Sequence, residues 1–526
     1  MLRFHCQVIV KRDLIIAVDA GTSSVKVGLV GLTLEVLQTA DHPYPVSYPG
    51  TGQAEQDPHD WWQAICLAVA KLATLCPGLK ERAAGMVFAS QMCGVVAVDA
   101  KGVPLRPCMI WLDKRAADIS RRVMGGFPRL FGYGAWPLMS SIRLTNGAPS
   151  LNGMDPPAKM LWLKENEPEV WSRTAKLLDV KDWLVLRATG QAVTTADVAN
   201  LTWMMDTRKG REGWSETLIS RFGLKRRLLP EIVDGTASPG GLTHEAASEL
   251  GLPCGLPVFA GAGDVCAAAI GSGAVADGEL HLSLGTSSWI SGFYSGRRLS
   301  ASEGYATILS PVGNRPILIA TQESAGACFD WLDRLAGEPA AAEGARPEPA
   351  ERVSPPLFLP WLGGERVPVD DNRLRGAFLG LSLQHDRASL RQAVTEGVAL
   401  NTRWAYQSVA RQRGTLGGGM LRAVSGGARN PALCRALADC LGVEITVARD
   451  PRNSGVRGVA AIAAAGLGWQ PCVWAAASRF GASPEAVYTP DAARRGYFER
   501  RFALYRDAYR RNAGWFRRSF ESASYD

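Results

Sequence analysis

The sequence lacks most of the features that would assign a chain of 526 residues at a glance. Its longest uncharged run, Gly458 to Ser478, is rich in Ala and Gly and is broken by Gln470 and Pro471, so it reads as a buried helix and its exit, not a membrane span. The eleven cysteines include no CxxC pair, and neither they nor the six histidines stand at zinc-ligand spacing. That pattern is expected of reduced thiols in a cytoplasmic protein. The opening segment, MLRFHCQVIVKRDL, reads as too short and too charged for a secretory leader. There is no Gly-Lys dipeptide, hence no GxxxxGK[ST] loop, and no GxGxxG either. Two common ways of holding a nucleotide are thereby excluded. Charge of one sign is also scarce: 58 Lys and Arg against 50 Asp and Glu leave a net +8, which suits anionic small ligands better than nucleic acid. Much of that excess sits in RRGYFERRFALYRDAYRRNAGWFRR, where Phe498, Phe502, Tyr505 and Tyr509 share one helical face. A docked helix with a solvated basic side is expected there.

What is present is an α/β pattern too long for one ordinary core, so at least two domains are expected. LIIAVDAG (14–21) opens with a continuous apolar run, as in a strand buried on both faces. It ends at Asp19, Gly21 and the small hydroxyl group Thr22-Ser23-Ser24, and VKVGLVGL then reads as a second strand. Asp57 and Pro58 suit an N-cap and first helical position, and Trp61, Trp62, Ile65, Val69 and Leu72 follow at core-facing helical spacing. GMVFAS (85–90) and VVAVDA read as strands around the turn QMCG. Residues 336–356, rich in Ala, Pro and Glu, read as an exposed loop or linker. Helices are expected over 395–412 and 431–442, and a strand over 443–447.

The sequence also repeats itself. DAGTSSVKVGLV at 19–30 is echoed by SLGTSSWISGFY at 283–294, each after an apolar run and before strand-like sequence. Duplication explains the shared context. Two Gly-Thr-Ser hairpins facing one cleft would clamp phosphates, because Gly lets backbone amides approach oxygens and Thr and Ser add hydroxyl donors. That singles out Gly21, Thr22 and Ser23, and Gly285, Thr286 and Ser287. A further glycine pair, Gly426-Gly427, followed by Asn430, is either a platform for a flat base or a strand-to-helix turn with an Asn cap. Asp264 follows an apolar strand and Gly261-Ala262-Gly263, and precedes a small-residue helix. It is either a helix cap or a base that takes a hydroxyl proton during phosphoryl transfer. Asp19 occupies the matching strand end beside the first hairpin and is the natural partner of a Mg²⁺ ion, held through water.

Taken together, these motifs resemble the FGGY carbohydrate kinases, and most of all the xylulokinases, over roughly residues 14–500. DAGTSSVKVGLV corresponds to the first phosphate motif, with Lys26 where Arg is usual, and LSLGTSSWIS to the second. SGGARNPALCRALADCLG corresponds to the adenosine motif, and SQMCGVVAVDAKGVPLRPCMIWLDKRA (90–116) to the sugar-site segment. LPWLGGERVPVDDNRLRGAFLGLSLQHDRASLRQAVTEGVAL resembles the signature of the second domain. The resemblance implies two actin-like, ribonuclease-H-like lobes around a deep cleft, with ATP as co-substrate, Mg²⁺ as cofactor and Asp264 as catalytic residue. It implies a first lobe over 1–255, with the sugar site and first hairpin, and a second over 256–526, binding ATP and ending in a docking helix. Met92, Cys93, Asp113 and Asp264 are expected around the sugar, and Gly326 with the ATP set. Cys93 stands where xylulokinases carry a His that contacts sugar hydroxyls, and Leu112 and Lys114 also depart from the usual WNDQRA. The product expected is xylulose 5-phosphate; another ketose or a polyol is the alternative, and an actin-like ATPase a more distant one. Neither nucleic acid nor membrane is an expected partner, and a homodimer is left open.

Overall fold

The computed structural model describes residues 12–300, 303–336, 354–411 and 419–523. In the first half, β1 (Leu14–Ala20) is buried on both faces except at Asp19, as its apolar run requires. It turns through Gly21-Thr22-Ser23 into β2 (Ser24–Val30), with Asp19 opposite Lys26, and β3 (Val36–Pro43) adds the sheet edge. Helix α1 (Pro58–Leu75) starts where expected: the Asp57 carboxylate accepts the His59 N–H, and Trp61, Trp62, Ile65, Val69 and Leu72 are all buried. Strand β4 (Ala83–Ser90) lies parallel beside β1. Helix α2 (Val180–Thr189) covers this sheet, which β5 (Gly240–Gly241) and β6 (Pro257–Gly263) complete in the order β5-β6-β4-β1-β2-β3. The expected division at 255/256 therefore falls one strand short of this sheet, since β6 pairs with β4.

Helix α3 (Asp264–Ser272) then leads into the second half. There β7 (Leu280–Leu284) and β8 (Ser288–Phe293) form the echoed hairpin. Strands β9 (Leu299–Ser300), β10 (Tyr305–Leu309), β11 (Pro316–Gln322), β12 (Met420–Val424), β13 (Glu444–Val447) and β14 (Ala486–Tyr488) complete an eight-stranded sheet, ordered β9-β10-β11-β8-β7-β12-β13-β14. Its centre repeats the first sheet: an antiparallel hairpin with a later strand parallel to its first member, β4 beside β1 and β12 beside β7. Around it pack α4 (Gly326–Ala336), α5 (Arg387–Arg411) and α6 (Pro431–Leu441). Most of the expected linker, residues 337–353, lies outside the described residues, as does 1–11.

Helix α7 (Ser454–Gly466) is the buried helix read from the Ala- and Gly-rich run. It lies against both α3 and the first sheet. The contact is backbone on backbone: a Cβ on Gly271 would sit 1.8 Å from the Ser454 carbonyl oxygen, and one on Gly458 1.9 Å from that of Ala267. Helix α8 (Arg495–Ala523) docks as its pattern predicts, with Phe498, Phe502 and Tyr505 buried and Tyr509 edge-on to Trp404 at 5.0 Å. No helix among the described residues is long and apolar enough to cross a membrane.

Candidate active site

Two carboxylates meet where β1 and β6 end. Asp264 is the first residue of α3, and its Oδ1 accepts the Val265 N–H at 2.8 Å. Burial, reinforced by the nearby charge of Asp19, pushes the Asp264 carboxyl up to about 7. A carboxylate so placed gives and takes a proton at neutral pH. Its strand end is fixed from behind, because the Gly263 N–H donates to Asp197 Oδ2 at 2.7 Å. Gly263 also has no room for a side chain: a Cβ there would be 2.3 Å from Met92 Sδ.

Asp19 is also pushed up by burial, opposed by Lys26. Among the described residues none donates a hydrogen bond to its carboxylate. It rests against Gly455 of α7, where a Cβ would fall 2.1 Å from Oδ2. Both carboxylates keep partial exposure to the cleft. Lys26 is held by the Arg452 carbonyl, to which its Nζ donates at 2.8 Å.

The two Gly-Thr-Ser tips reach the surface, Ser23 and Thr286 being exposed, and each is braced from behind. In the first, the Gly21 carbonyl accepts from Tyr44 Oη at 2.5 Å and the Thr22 carbonyl from Gln56 Nε2 at 2.8 Å; Trp111 Nε1 donates to Thr22 Oγ1 at 2.9 Å. In the second, the start of α4 does the bracing. The Gly326 N–H donates to the Gly285 carbonyl at 2.9 Å, and the N–H groups of Ala325 and Ala327 donate to that of Thr286 at 3.0 and 3.1 Å. A Cβ on Gly326 would lie 2.6 Å from the Gly285 oxygen, and one on Gly427 2.8 Å from that of Leu284. Gly326 and Gly427 thus let α4 and the turn before α6 close onto this hairpin, with Ser283 and Ser425 hydroxyls 2.8 Å apart beside it. Asn430 caps α6: its Oδ1 accepts from the N–H groups of Ala432 and Leu433 at 3.1 and 3.2 Å, and its amide nitrogen has no acceptor among the described residues.

Met92 and Cys93 form a wall at the strand end that carries Asp264, with Met92 packed against Gly263. Cys93 has φ +66°, and its N–H and that of Gly94 donate to the two oxygens of Asp179, each at 2.9 Å. Lys159, fully buried, donates to the carbonyls of Cys93 and Ile110 at 3.0 and 2.6 Å. Burial, followed by the charges of Asp155 and Asp179, pushes the Cys93 thiol well up, so it faces the cleft as a neutral SH. Asp113 is placed differently from the sequence expectation. It is fully enclosed, and its carboxylate is taken up by the Ala54 N–H at 2.8 Å and by Arg115, whose Nη2 lies at 2.7 Å. It therefore locks the loop behind the wall and presents no oxygen to the cleft.

Sequence reasoning missed Gly455, Asp179, Lys159, Tyr44 and Trp111. For Gly455 the signal was the spacing of small residues in SGVRGVAAIAAAG, which marks a helix approached closely by other backbone. The others act through partners 20 to 89 positions away in the chain, which no local pattern reveals.

Comparison with known proteins gives a consistent result. Residues 14–271 match the N-terminal domain of the FGGY family of carbohydrate kinases, and residues 280–467 its C-terminal domain. A xylulose kinase of Escherichia coli is 33% identical over 387 residues, 73% of this chain and 76% of its own length. An erythritol kinase of Brucella abortus is 28% identical over 526 residues, covering 95% of this chain and 96% of that one. The crystal structure of a xyloylose kinase from Brucella ovis superposes with a TM-score of 0.82 at 27% identity, over 95% of this chain and 100% of that one.

Proposed function

The chain belongs to the FGGY family of carbohydrate kinases, and on that premise we propose that it transfers the γ-phosphoryl group of ATP to D-xylulose, giving xylulose 5-phosphate. One observation carries the reading: Asp264, raised to about 7 by burial and by Asp19, stands at the strand end where Met92 packs against Gly263. Sugar lies against Met92 and Cys93, with Asp113 holding that wall in place. ATP lies mainly on the second lobe, with Gly426, Gly427 and the Asn430 amide toward the nucleoside. Its phosphates lie between Gly21–Ser23, beside Lys26, and Gly285–Ser287, backed by Gly326. Asp264 takes the hydroxyl proton as the oxygen attacks the γ-phosphorus. Closing the cleft keeps water from competing with the sugar.

The carboxylates also fit a divalent cation. Asp19 has no hydrogen-bond donor among the described residues, and no group of three or more His, Cys, Asp or Glu there could hold a metal. Mg²⁺ is commonly bound by one or two carboxylates, with phosphates and water supplying the remaining ligands. Asp19 would hold it through water, and the ion supplies charge neutralisation of the phosphates.

The competing reading is a family member acting on a polyol or another ketose. The erythritol kinase relative and the thiol at position 93 favour it, because a thiol is a poor hydrogen-bond partner for a sugar hydroxyl. An ADP-release assay over D-xylulose, D-ribulose and erythritol separates the two. D-Xylulose is expected to show the highest kcat/KM of the three. A higher value for erythritol or ribulose would replace it as substrate, and ADP release that no sugar accelerates would point to an ATPase built on the same lobes.

A further inference from the structure

The two phosphate hairpins belong to different lobes, and phosphoryl transfer requires a fixed spacing between them. A chain of side chains runs from one hairpin to the other past the sugar wall. On the first lobe, Trp111 Nε1 donates to Thr22 Oγ1 of the first hairpin at 2.9 Å. The guanidinium of Arg366, from the second lobe, lies over the Trp111 ring, 5.7 Å from its centroid. Arg366 Nε is 2.8 Å from Glu323 Oε1, an ion pair and not an aligned hydrogen bond. Glu323 stands two residues before the Ala325–Ala327 segment that holds the carbonyls of Gly285 and Thr286 in the second hairpin.

Arg366 is seated firmly enough for this task. Its own N–H and that of Glu323 both donate to the same buried oxygen, Glu365 Oε1, at 2.8 and 3.1 Å. The other oxygen of Glu365 accepts from Asn401 Nδ2 on α5 at 2.5 Å. The cation and its carboxylate partner thus share one anchor in the second lobe. Arginine suits the position because its flat face can lie on an indole while its edge pairs with a carboxylate; an ammonium is a point charge and cannot do both. Burial raises both Asp155 and the Cys93 thiol, and the Arg366 charge opposes it in each.

We propose that Arg366 is a positioning residue that sets the distance between the two phosphate hairpins, by bridging Trp111 of the first lobe and Glu323 of the second across the sugar wall. The assignment rests on the kinase reading above and adds to it a coupling between sugar wall and phosphate clamp.

The test is a double-mutant cycle with the best sugar of the panel. Arg366→Met and Trp111→Leu each lower kcat by about 5- to 30-fold, the range expected for losing a partly desolvated cation–π contact. KM for ATP stays within about threefold in both, since the nucleoside site on the second lobe is left intact. The double variant is no more than about twofold worse than the weaker single, because both break the same link. Arg366→Lys recovers less than half of the lost rate. Effects that multiply in the double variant, a loss confined to KM for ATP, or full rescue by Lys would each overturn the proposal. If Trp111→Leu does not fold, as judged by its melting curve, Glu323→Gln takes its place in the cycle with the same expectation. Wild-type turnover sets the baseline, so failure of the kinase reading shows in the wild type and failure of the bridge only in the variants.

Discussion

Replacing Asp264 by Asn should make the protein much slower and, at neutral pH and above, more stable. The carboxyl is raised from an ordinary value of 3.8 to about 7, first by burial and then by Asp19. An aspartate free in the unfolded chain loses its proton near pH 4, whereas the folded one keeps it until about pH 7. The folded state therefore binds more protons over that window, and stability is lost as pH rises from about 4 to about 7. A difference of three pH units at about 1.4 kcal/mol each sets an upper bound near 4 kcal/mol. Partial exposure to the cleft allows solvent screening, so about 1–2 kcal/mol is expected. Asn has nearly the same shape and can still accept the Val265 N–H, but it cannot ionise. The variant should melt a few degrees above wild type at pH 8 and together with it at pH 4. Turnover should fall by about 10²- to 10⁴-fold, the usual contribution of a positioned base. In the wild type, about one tenth of Asp264 is ionised at pH 6, so kcat/KM there should be roughly a tenth of its plateau. The assays are ADP release from pH 5 to 9 and ligand-free thermal unfolding at pH 4 and 8. Turnover within tenfold of wild type, or equal melting at pH 8, would refute the assignment of Asp264 as a buried base.

Gly455→Ala adds a methyl 2.1 Å from Asp19 Oδ2. Asp19 or α7 must shift, so kcat should drop by about tenfold or more and stability by about 1–3 kcal/mol, read from kinetics and melting. Normal kinetics would mean that the position of Asp19 is not critical. Cys93→His places a ring at a residue with φ +66°, which His tolerates better than most side chains. One added hydrogen bond should lower KM for D-xylulose by about fivefold. An unchanged or higher KM would remove residue 93 from sugar recognition.

The sequence carries most of the local structure because local structure is what hydrophobic period and capping encode. β1, β2, α1, α6 and β13 lie within a residue or two of their expected positions, and the GTSS echo corresponds to a duplicated strand arrangement. Asp264 was visible because glycines and a strand end precede it. The rest depends on contacts between distant parts of the chain. Nothing near residue 455 says that its Cα will face the carboxylate of Asp19, and nothing near 366 says that its side chain will cross to Trp111. Asp113 shows the opposite limit, since a motif marks it as part of the site while only packing reveals that Arg115 occupies its oxygens. The same holds for β6, which starts just past the expected division at 255/256 and which only its pairing with β4 assigns to the first sheet.

The glycine contacts between α3 and α7 have a mechanical consequence. With carbonyl oxygens resting where side chains would be, the two helices have no compressible layer between them. Such a crossing should resist sliding more than rotation, which would make it an axle for the two lobes. Asp264 opens one of these helices and Asp19 rests on the other, so both carboxylates lie near the axis, where a swing of the lobes displaces atoms least. On the proposed reading, the charged centre would stay almost still while the walls travel, and closing the cleft would bring sugar and phosphates to a base already in place.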